Sequence, residues 1–270
     1  AESALENFAT EHGIPVVETI AGKGTFTHHH PLHMGPIGIL GSTSANELAA
    51  NADVILAIGT RLMDFVTGSW TVFSHDAQFI TLNAARFDAH KHLSLPLVCD
   101  AREGLNDLHA ALGNWRADAA WLERGRQAFV KWNALIAEKQ EPTPAEGDPT
   151  YAQVVGIVNA QAAPEDYIIS AAGGLPGELV KGWRVKNPGT FDCEFGFSCM
   201  GYELSAGWGV AMAGLDRDVI VMIGDGTYMM MNSDIYSSVL SGHKFILIVC
   251  DNGGYAVINR LQNAKGAFGC

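Results

Sequence analysis

The sequence is poor in the features that mark several classes of protein. It has only five cysteines, an odd number with no Cys-x-x-Cys pair, which predicts buried, reduced thiols in a cytoplasmic protein. No apolar stretch approaches the length of a membrane span, so no membrane partner is predicted. Positive charge is also scarce, and the net charge of −12 argues against nucleic acid and anionic membranes as partners.

Apolar residues and glycine are abundant instead. Hydrophobic residues make up 48% of the 270 positions and glycine occupies 30 of them, which is typical of a globular chain long enough for two domains. Buried strands alternate with helices through both halves, and this order predicts an α/β fold with parallel sheets. We expect a Rossmann-like domain over 1–115, a helical linker over 116–147 and a second, C-terminally incomplete domain over 148–270.

The most informative stretch is VIVMIGDGTYMMMNSDIYSSVLSGHKFILIVCDNGG, Val219–Gly254. An apolar strand over Val219–Ile223 ends at Gly-Asp-Gly, a helix over Thr227–Ser241 follows, and a second strand over Phe245–Cys250 ends at Asp-Asn-Gly-Gly. A βαβ crossover makes the two strands parallel. Both strand ends therefore open on the edge of the sheet where doubly wound folds bind ligands.

The residues at that edge are suited to a metal-bound diphosphate. Asp225 offers a carboxylate and Asn252 an amide oxygen, which are ligands that Mg²⁺ accepts while phosphate and water complete its octahedron. The backbone N–H groups of Gly226 and Thr227 favour a phosphate. The stretch lacks the Lys-Ser/Thr of a P-loop and the acidic ligands of an EF-hand. Gly173-Gly174, after a strand at Tyr167–Ser170, is either a second phosphate cradle or a plain tight turn.

Two other patterns predict no ligand site. Gly35, Gly38 and Gly41 are spaced by three residues but do not follow a strand, so they do not form a dinucleotide fingerprint. The run His28–His30, with His33 nearby, lies in a predicted loop. Consecutive side chains of extended backbone point to opposite faces, so this run predicts a solvated loop rather than a metal site.

Motifs in both halves resemble one known family. GDG, 24 residues and Asp-Asn is similar to the signature of thiamin diphosphate enzymes, which usually ends in Asn-Asn. AGKGTF, HPL and GILGSTSAN resemble the central domain of the acetolactate-synthase-type enzymes, and residues 148–270 resemble their diphosphate-binding domain. Within that family, AAGGLPGEL, FGFSCMGYE and NGGYAVINRLQ resemble the trihydroxycyclohexane-1,2-dione hydrolases of inositol catabolism.

The resemblance implies thiamin diphosphate and Mg²⁺ as cofactors. It implies that Met200 props the bent cofactor, with the Ser198 carbonyl facing the aminopyrimidine. The residues implied to contact the cofactor are Gly173, Gly174, Ser198, Met200, Gly224, Gly226 and Thr227. Those implied to bind the metal are Asp225, Asn252 and the carbonyl of Gly254. Tyr255, Asn259 and Arg260 either lie near the substrate or form a surface helix.

The implied reaction is hydrolytic ring opening of trihydroxycyclohexane-1,2-dione to 5-deoxyglucuronate in a homodimer or homotetramer. Many carboligases of the family carry Gln-His where this chain has Leu175-Pro176, which weighs against an ordinary synthase. The alternatives are a 2-keto-acid carboligase or decarboxylase, and a non-catalytic binding subunit or fragment. The family's activating glutamate sits on an N-terminal pyrimidine domain that this chain lacks. No catalytic residue is therefore assigned, and the chain alone is expected to be inactive.

Overall fold

The structure is a computed structural model that describes residues 1–142 and 147–266. These residues fall into two compact units, which divide between Leu135 and Ile136. The helices are α1 (Glu2–His12), α2 (Thr43–Asn51), α3 (Asp64–Thr67), α4 (Arg86–Ala89), α5 (Ala101–Leu112), α6 (Ala119–Gln140), α7 (Tyr151–Gln161), α8 (Gly174–Gly182), α9 (Tyr202–Met212), α10 (Asp225–Met231), α11 (Ser233–Leu240) and α12 (Ala256–Ala264). The strands are β1 (Val16–Glu18), β2 (His33–Pro36), β3 (Val54–Ile58), β4 (Gln78–Leu82), β5 (Leu95–Leu97), β6 (Tyr167–Ser170), β7 (Phe191–Cys193), β8 (Val219–Gly224) and β9 (Ile246–Cys250).

The first unit contains two parallel sheets. Strand β1 pairs with β2, and β3, β4 and β5 form a separate sheet in that order. Helix α1 covers the second sheet, because its Phe8 packs with Leu82 of β4 and Leu105 of α5. The predicted parallel pairing is confirmed. In the described part of the chain the two sheets are not hydrogen-bonded to each other, and β1 and β3 both line an apolar cavity of about 250 Å³.

The second unit is built on one four-stranded parallel sheet in the order β7-β6-β8-β9. Strand β8 is central, and its residues Val219–Ile223 are buried, as a strand covered on both faces requires. Helix α9 packs on β8 through Leu204 and Gly207, and a Cβ at Gly207 would lie 2.4 Å from a Val221 methyl. The predicted crossover from β8 to a parallel β9 is confirmed.

Four predicted elements need correction. The predicted loop before α2 contains β2, which pairs with β1. The sequence of β2 does not predict this pairing. The apolar run Leu97–Cys99 predicts a strand, but the strand there, β5, spans Leu95–Leu97, where it pairs with β4. The single helix predicted over 227–241 is two helices, α10 and α11, that meet at Asn232. The segment before α9 includes β7, which pairs with β6.

The predictions for histidine and cysteine were partly wrong. His33 is not solvated: it is 3% exposed, and its Nε2 lies 3.0 Å from Glu18 Oε2. The imidazole supplies the polar partner that a buried carboxylate requires. Among the four cysteines in the described residues only Cys193 is buried, whereas Cys199 is exposed on the loop before α9. Cys270 lies outside the described residues.

Within the described residues, no helix combines the length and the apolar character needed to cross a membrane.

Candidate functional site

The ends of β8 and β9 lie side by side. The two strands are parallel, and Gly224 of β8 is paired with Cys250 of β9. Asp225 therefore follows one strand by one residue, and Asn252 follows its neighbour by two. Because parallel strands end on the same edge, the carboxylate and the amide belong to one edge of the sheet.

A tyrosine contacts the amide at this edge. Asn252 donates a hydrogen bond from Nδ2 to the hydroxyl of Tyr151, the first residue of α7. The Tyr151 ring also flanks Gly174, since a Cβ at Gly174 would lie 3.4 Å from a ring carbon, 3.4 Å from Arg260 Nη2 and 2.8 Å from a Val257 methyl. Gly174 thus packs directly against side chains of α7 and α12, and a side chain at this position would have no room.

Gly226 is the second glycine whose backbone lies close to neighbouring side chains. A Cβ at Gly226 would lie 2.7 Å from the Tyr255 ring and 3.3 Å from the Met200 methyl group. The loop before α9, the Gly-Asp-Gly turn and the segment before α12 therefore meet at Gly226. Under 3.0 Å from an aromatic ring a methyl group has no room, so only glycine fits without displacing Tyr255.

A carboxylate organises the loop that carries Met200. Glu194 Oε1 accepts from the Phe197 N–H and Oε2 from the Cys199 N–H, both at 2.9 Å. Partial burial raises the pKa of Glu194, but these backbone N–H groups outweigh it and hold the pKa below its usual value. Between them, Ser198 has φ +52°, a left-handed conformation that costs a non-glycine residue about 1–2 kcal/mol.

A second carboxylate lies at the other end of the loop. Glu203 on α9 is 1% exposed, and its Oε2 accepts from the Gly201 N–H at 3.1 Å. Burial raises its pKa against the opposing effect of nearby backbone N–H groups, which include that of Ala172. Glu203 thus lies between the start of α9 and the backbone that runs from β6 into Gly173 and Gly174.

The predicted residues are not all brought together by contacts. The close approaches form two groups: Gly174 lies next to Arg260, and Gly226 lies next to Tyr255 and Met200. Thr227 is buried and Gly173 is exposed with φ +113°. Gly254, with φ +142°, has a conformation that favours glycine. Asn259 contacts Asn263 further along α12 instead, at 3.3 Å.

Sequence reasoning missed three residues of this region. Tyr151 begins a helix about 100 positions before Asn252, and no spacing in the sequence connects the two. Glu194 and Glu203 are the two glutamates of the FDCEFGFSCMGYE segment. The signal that could have found them is an acidic residue on each side of a short Gly-, Ser- and Cys-containing loop, since a carboxylate there can accept from exposed backbone N–H groups.

Comparisons with known proteins identify the family of the chain. The family described as "Thiamine pyrophosphate enzyme, central domain" matches residues 1–108. The family described as "Thiamine pyrophosphate enzyme, C-terminal TPP binding domain" matches residues 171–269. The chain belongs to the thiamine pyrophosphate enzymes. The resemblance stated from its motifs is confirmed, and the fold is that of the central and C-terminal domains of this family.

Several curated relatives of this thiamine pyrophosphate enzyme chain carry the same name. Proteins named 3D-(3,5/4)-trihydroxycyclohexane-1,2-dione hydrolase are similar to it. That of Geobacillus thermodenitrificans is 36% identical over 292 residues, which cover 99% of this chain and 45% of the relative. Those of Clostridium tetani and Clostridium botulinum are 34% and 31% identical, covering 99% and 98% of this chain and 46% and 45% of the relatives. The chain thus spans less than half the length of the curated relatives it matches.

The residues at the edge of the second unit fit the family's cofactor. An aspartate and an asparagine follow neighbouring parallel strands, and both supply oxygen, the ligand type of Mg²⁺. Gly174 and Gly226 lie in the first turns of α8 and α10, where residues without a side chain leave the backbone N–H groups accessible. Such N–H groups suit a diphosphate.

Proposed function

We propose that this chain binds thiamin diphosphate through Mg²⁺ at the edge where β8 and β9 end. The observation that carries the proposal is the parallel pairing of Gly224 with Cys250, which gives Asp225 and Asn252 a common edge. Asp225, Asn252 and the Gly254 carbonyl would hold the metal. Because the Asn252 nitrogen donates to Tyr151, its oxygen Oδ1 is the end that would face the cation.

The cofactor contacts are proposed on the same edge. Gly224, Gly226 and Thr227 would lie along the diphosphate, and Gly173 and Gly174 would approach it from the end of β6. Met200 would support the bent cofactor, with the Ser198 carbonyl facing the aminopyrimidine. The close approach of the Met200 methyl group to Gly226 supports this role, because it puts the side chain next to the Gly-Asp-Gly turn.

We propose that the intact protein hydrolyses a cyclic 1,2-dione, opening trihydroxycyclohexane-1,2-dione to 5-deoxyglucuronate. Support comes from the shared name of the relatives, which are 31–36% identical over nearly all of this chain. Bound thiamin diphosphate would supply the electron sink for breaking the carbon–carbon bond. In this chain, Arg260 and Tyr255 would orient the substrate next to Gly174 and Gly226, and Asn259 is a weaker candidate on the same helix.

The cellular location and the oligomeric state of the protein are part of the same proposal. We propose a cytoplasmic enzyme that works as a homodimer or homotetramer. Large apolar side chains exposed on the second unit support an association with further polypeptide. They include Phe197, Met229, Tyr236, Val239, Leu240 and Leu261.

Titration with thiamin diphosphate and Mg²⁺ tests the proposal. Asp225→Ala removes the only carboxylate among the proposed metal ligands, and we expect at least tenfold weaker binding, because a hydrogen-bonding or coordinating charge contributes about 1.5–3 kcal/mol. Asp216→Ala, on an exposed turn before β8, is the matched control and should bind as the unaltered chain does. Equal binding by both variants, measured by calorimetry, would refute the metal site.

A further inference from the structure

We propose that Glu194 is a positioning residue that sets the conformation of the loop Gly196–Met200 for the cofactor. This inference rests on the proposed function, in which that loop supplies the Ser198 carbonyl and the Met200 side chain. Neither the family resemblance nor the shared name of the relatives assigns a role to Glu194.

The geometry makes Glu194 the organising group of the loop. Each of its carboxylate oxygens accepts one backbone N–H at 2.9 Å, from Phe197 and from Cys199, and the Gly196 N–H also faces the carboxylate. Two ionised oxygens thus satisfy donors on both sides of Ser198. Hydrogen bonds to an ionised acceptor are stronger than those between neutral groups, so this arrangement can hold a loop that has little else to hold it.

The loop needs such a restraint. The side chain of Phe197 is 83% exposed, and Ser198 and Cys199 are exposed as well, so burial contributes little to the order of this part of the loop. The φ of +52° at Ser198 is unfavourable for a residue with a Cβ. Strained backbone of this kind persists where the surroundings over-determine it. Here the hydrogen bonds to Glu194 are the contacts that hold the backbone of Ser198 in its left-handed conformation.

The loop conformation decides where Met200 lies. Met200 follows the last bonded amide, Cys199, by one residue, and its methyl group lies against Gly226. The next residue, Gly201, is fixed from the other side by Glu203. If the loop relaxes, Met200 leaves Gly226, and the fraction of molecules competent to bind the cofactor falls. Apparent affinity falls by the same factor.

Two substitutions separate this role from simple packing. Glu194→Gln keeps the size of the side chain but replaces one acceptor oxygen by an NH₂ group, which cannot accept from a backbone N–H. Glu194→Asp keeps both acceptors and the charge but is one methylene shorter. A positioning carboxylate predicts that Asp binds the cofactor better than Gln, whereas a space-filling side chain predicts the reverse order.

The experiment measures the affinity of the chain for thiamin diphosphate with Mg²⁺ and the hydrogen exchange of the Phe197 and Cys199 amides without cofactor. For Glu194→Gln we expect about tenfold weaker binding and at least tenfold faster exchange of both amides. For Glu194→Asp we expect an affinity and amide exchange rates between those of the Gln variant and those of the unaltered chain. Glu165→Gln, on an exposed turn before β6, is the matched control and should change neither quantity.

The possible outcomes are distinct. Unchanged exchange and unchanged binding in Glu194→Gln, or a Gln variant that binds better than the Asp variant, would overturn the positioning role and leave the proposed function standing. If the unaltered chain does not bind thiamin diphosphate, the proposed function fails and the role in cofactor binding fails with it. The exchange measurement would then still decide whether Glu194 orders the loop. Circular dichroism of both variants excludes a general loss of folding as the cause.

Discussion

Gly207 and Gly209 provide a paired test of how α9 packs on β8. Both lie inside the helix, two residues apart. A Cβ at Gly207 would lie 2.4 Å from a methyl group of Val221, which is fully buried in the central strand. A Cβ at Gly209 would meet no atom within 4 Å. The same substitution therefore has opposite consequences at the two positions.

The magnitudes follow from two contributions. Replacing glycine by alanine within a helix contributes roughly 1 kcal/mol of stability at either position. Overpacking a filled core costs about 1–3 kcal/mol, and only Gly207→Ala incurs this cost. We expect Gly209→Ala to raise the free energy of unfolding of the second unit by about 1 kcal/mol and Gly207→Ala to lower it by about 1 kcal/mol. Because helix propensity is common to both, their difference of about 2 kcal/mol measures the packing cost alone.

Urea denaturation of both variants checks this expectation. The midpoint of the transition of the second unit should move in opposite directions, with an unchanged slope, because neither variant alters the surface exposed on unfolding. If Gly207→Ala is as stable as Gly209→Ala, then α9 does not approach β8 closely at Gly207, and the packing described for the second unit is wrong.

Two further predictions concern charged groups. Glu18 accepts from His33 and from the N–H groups of Gly24 and Phe26; burial raises its pKa, but His33 and Lys23 bring it below the usual value. Its contribution to stability is therefore present above the pKa of an unfolded glutamate and is lost as pH falls through the lower folded pKa. We expect Glu18→Gln to lower stability by about 3 kcal/mol at neutral pH and to flatten the acid side of a thermal-melting profile; an unchanged profile would contradict this. If the proposed function holds, Arg260→Ala in the intact enzyme should lower kcat/KM for the proposed cyclic dione substrate about tenfold, with Lys265→Ala as control. Unchanged kinetics would remove Arg260 from the site.

Much of the fold could be predicted because most of its strands are short, continuous runs of apolar residues. The runs Val54–Ile58 and Tyr167–Ser170 each predict a strand, because continuous apolar residues between turn signals suit strands buried in parallel sheets. They coincide with β3 and β6. Strand β2 was missed because His33–Pro36, His-Met-Gly-Pro, has neither apolar continuity nor alternation. It is a strand because its backbone pairs with β1.

The candidate site was predictable to a smaller extent. The turns after β8 and β9 can be predicted because polar residues and glycines follow apolar runs there. Asp225 and Asn252 could therefore be chosen from the sequence. Tyr151 and Glu194 could not, because their partners depend on how α7 and the loop before α9 are placed. The same limit applies to the two glycines of α9. A glycine inside a helix predicts close packing at both Gly207 and Gly209, but only Gly207 is closely packed.

The sequence by itself determined the alternation of strands and helices, the parallel pairing that follows from the crossover, and the residue types at the ends of β8 and β9. These are properties of local patterns and of chain connectivity, which limit the backbone before it folds. Only the tertiary structure decided which side chains meet at Gly226, which carboxylate accepts hydrogen bonds from the loop before α9, and that His33 is buried against Glu18. Such contacts join residues through space, and their energies depend on burial and distance, which no local pattern encodes.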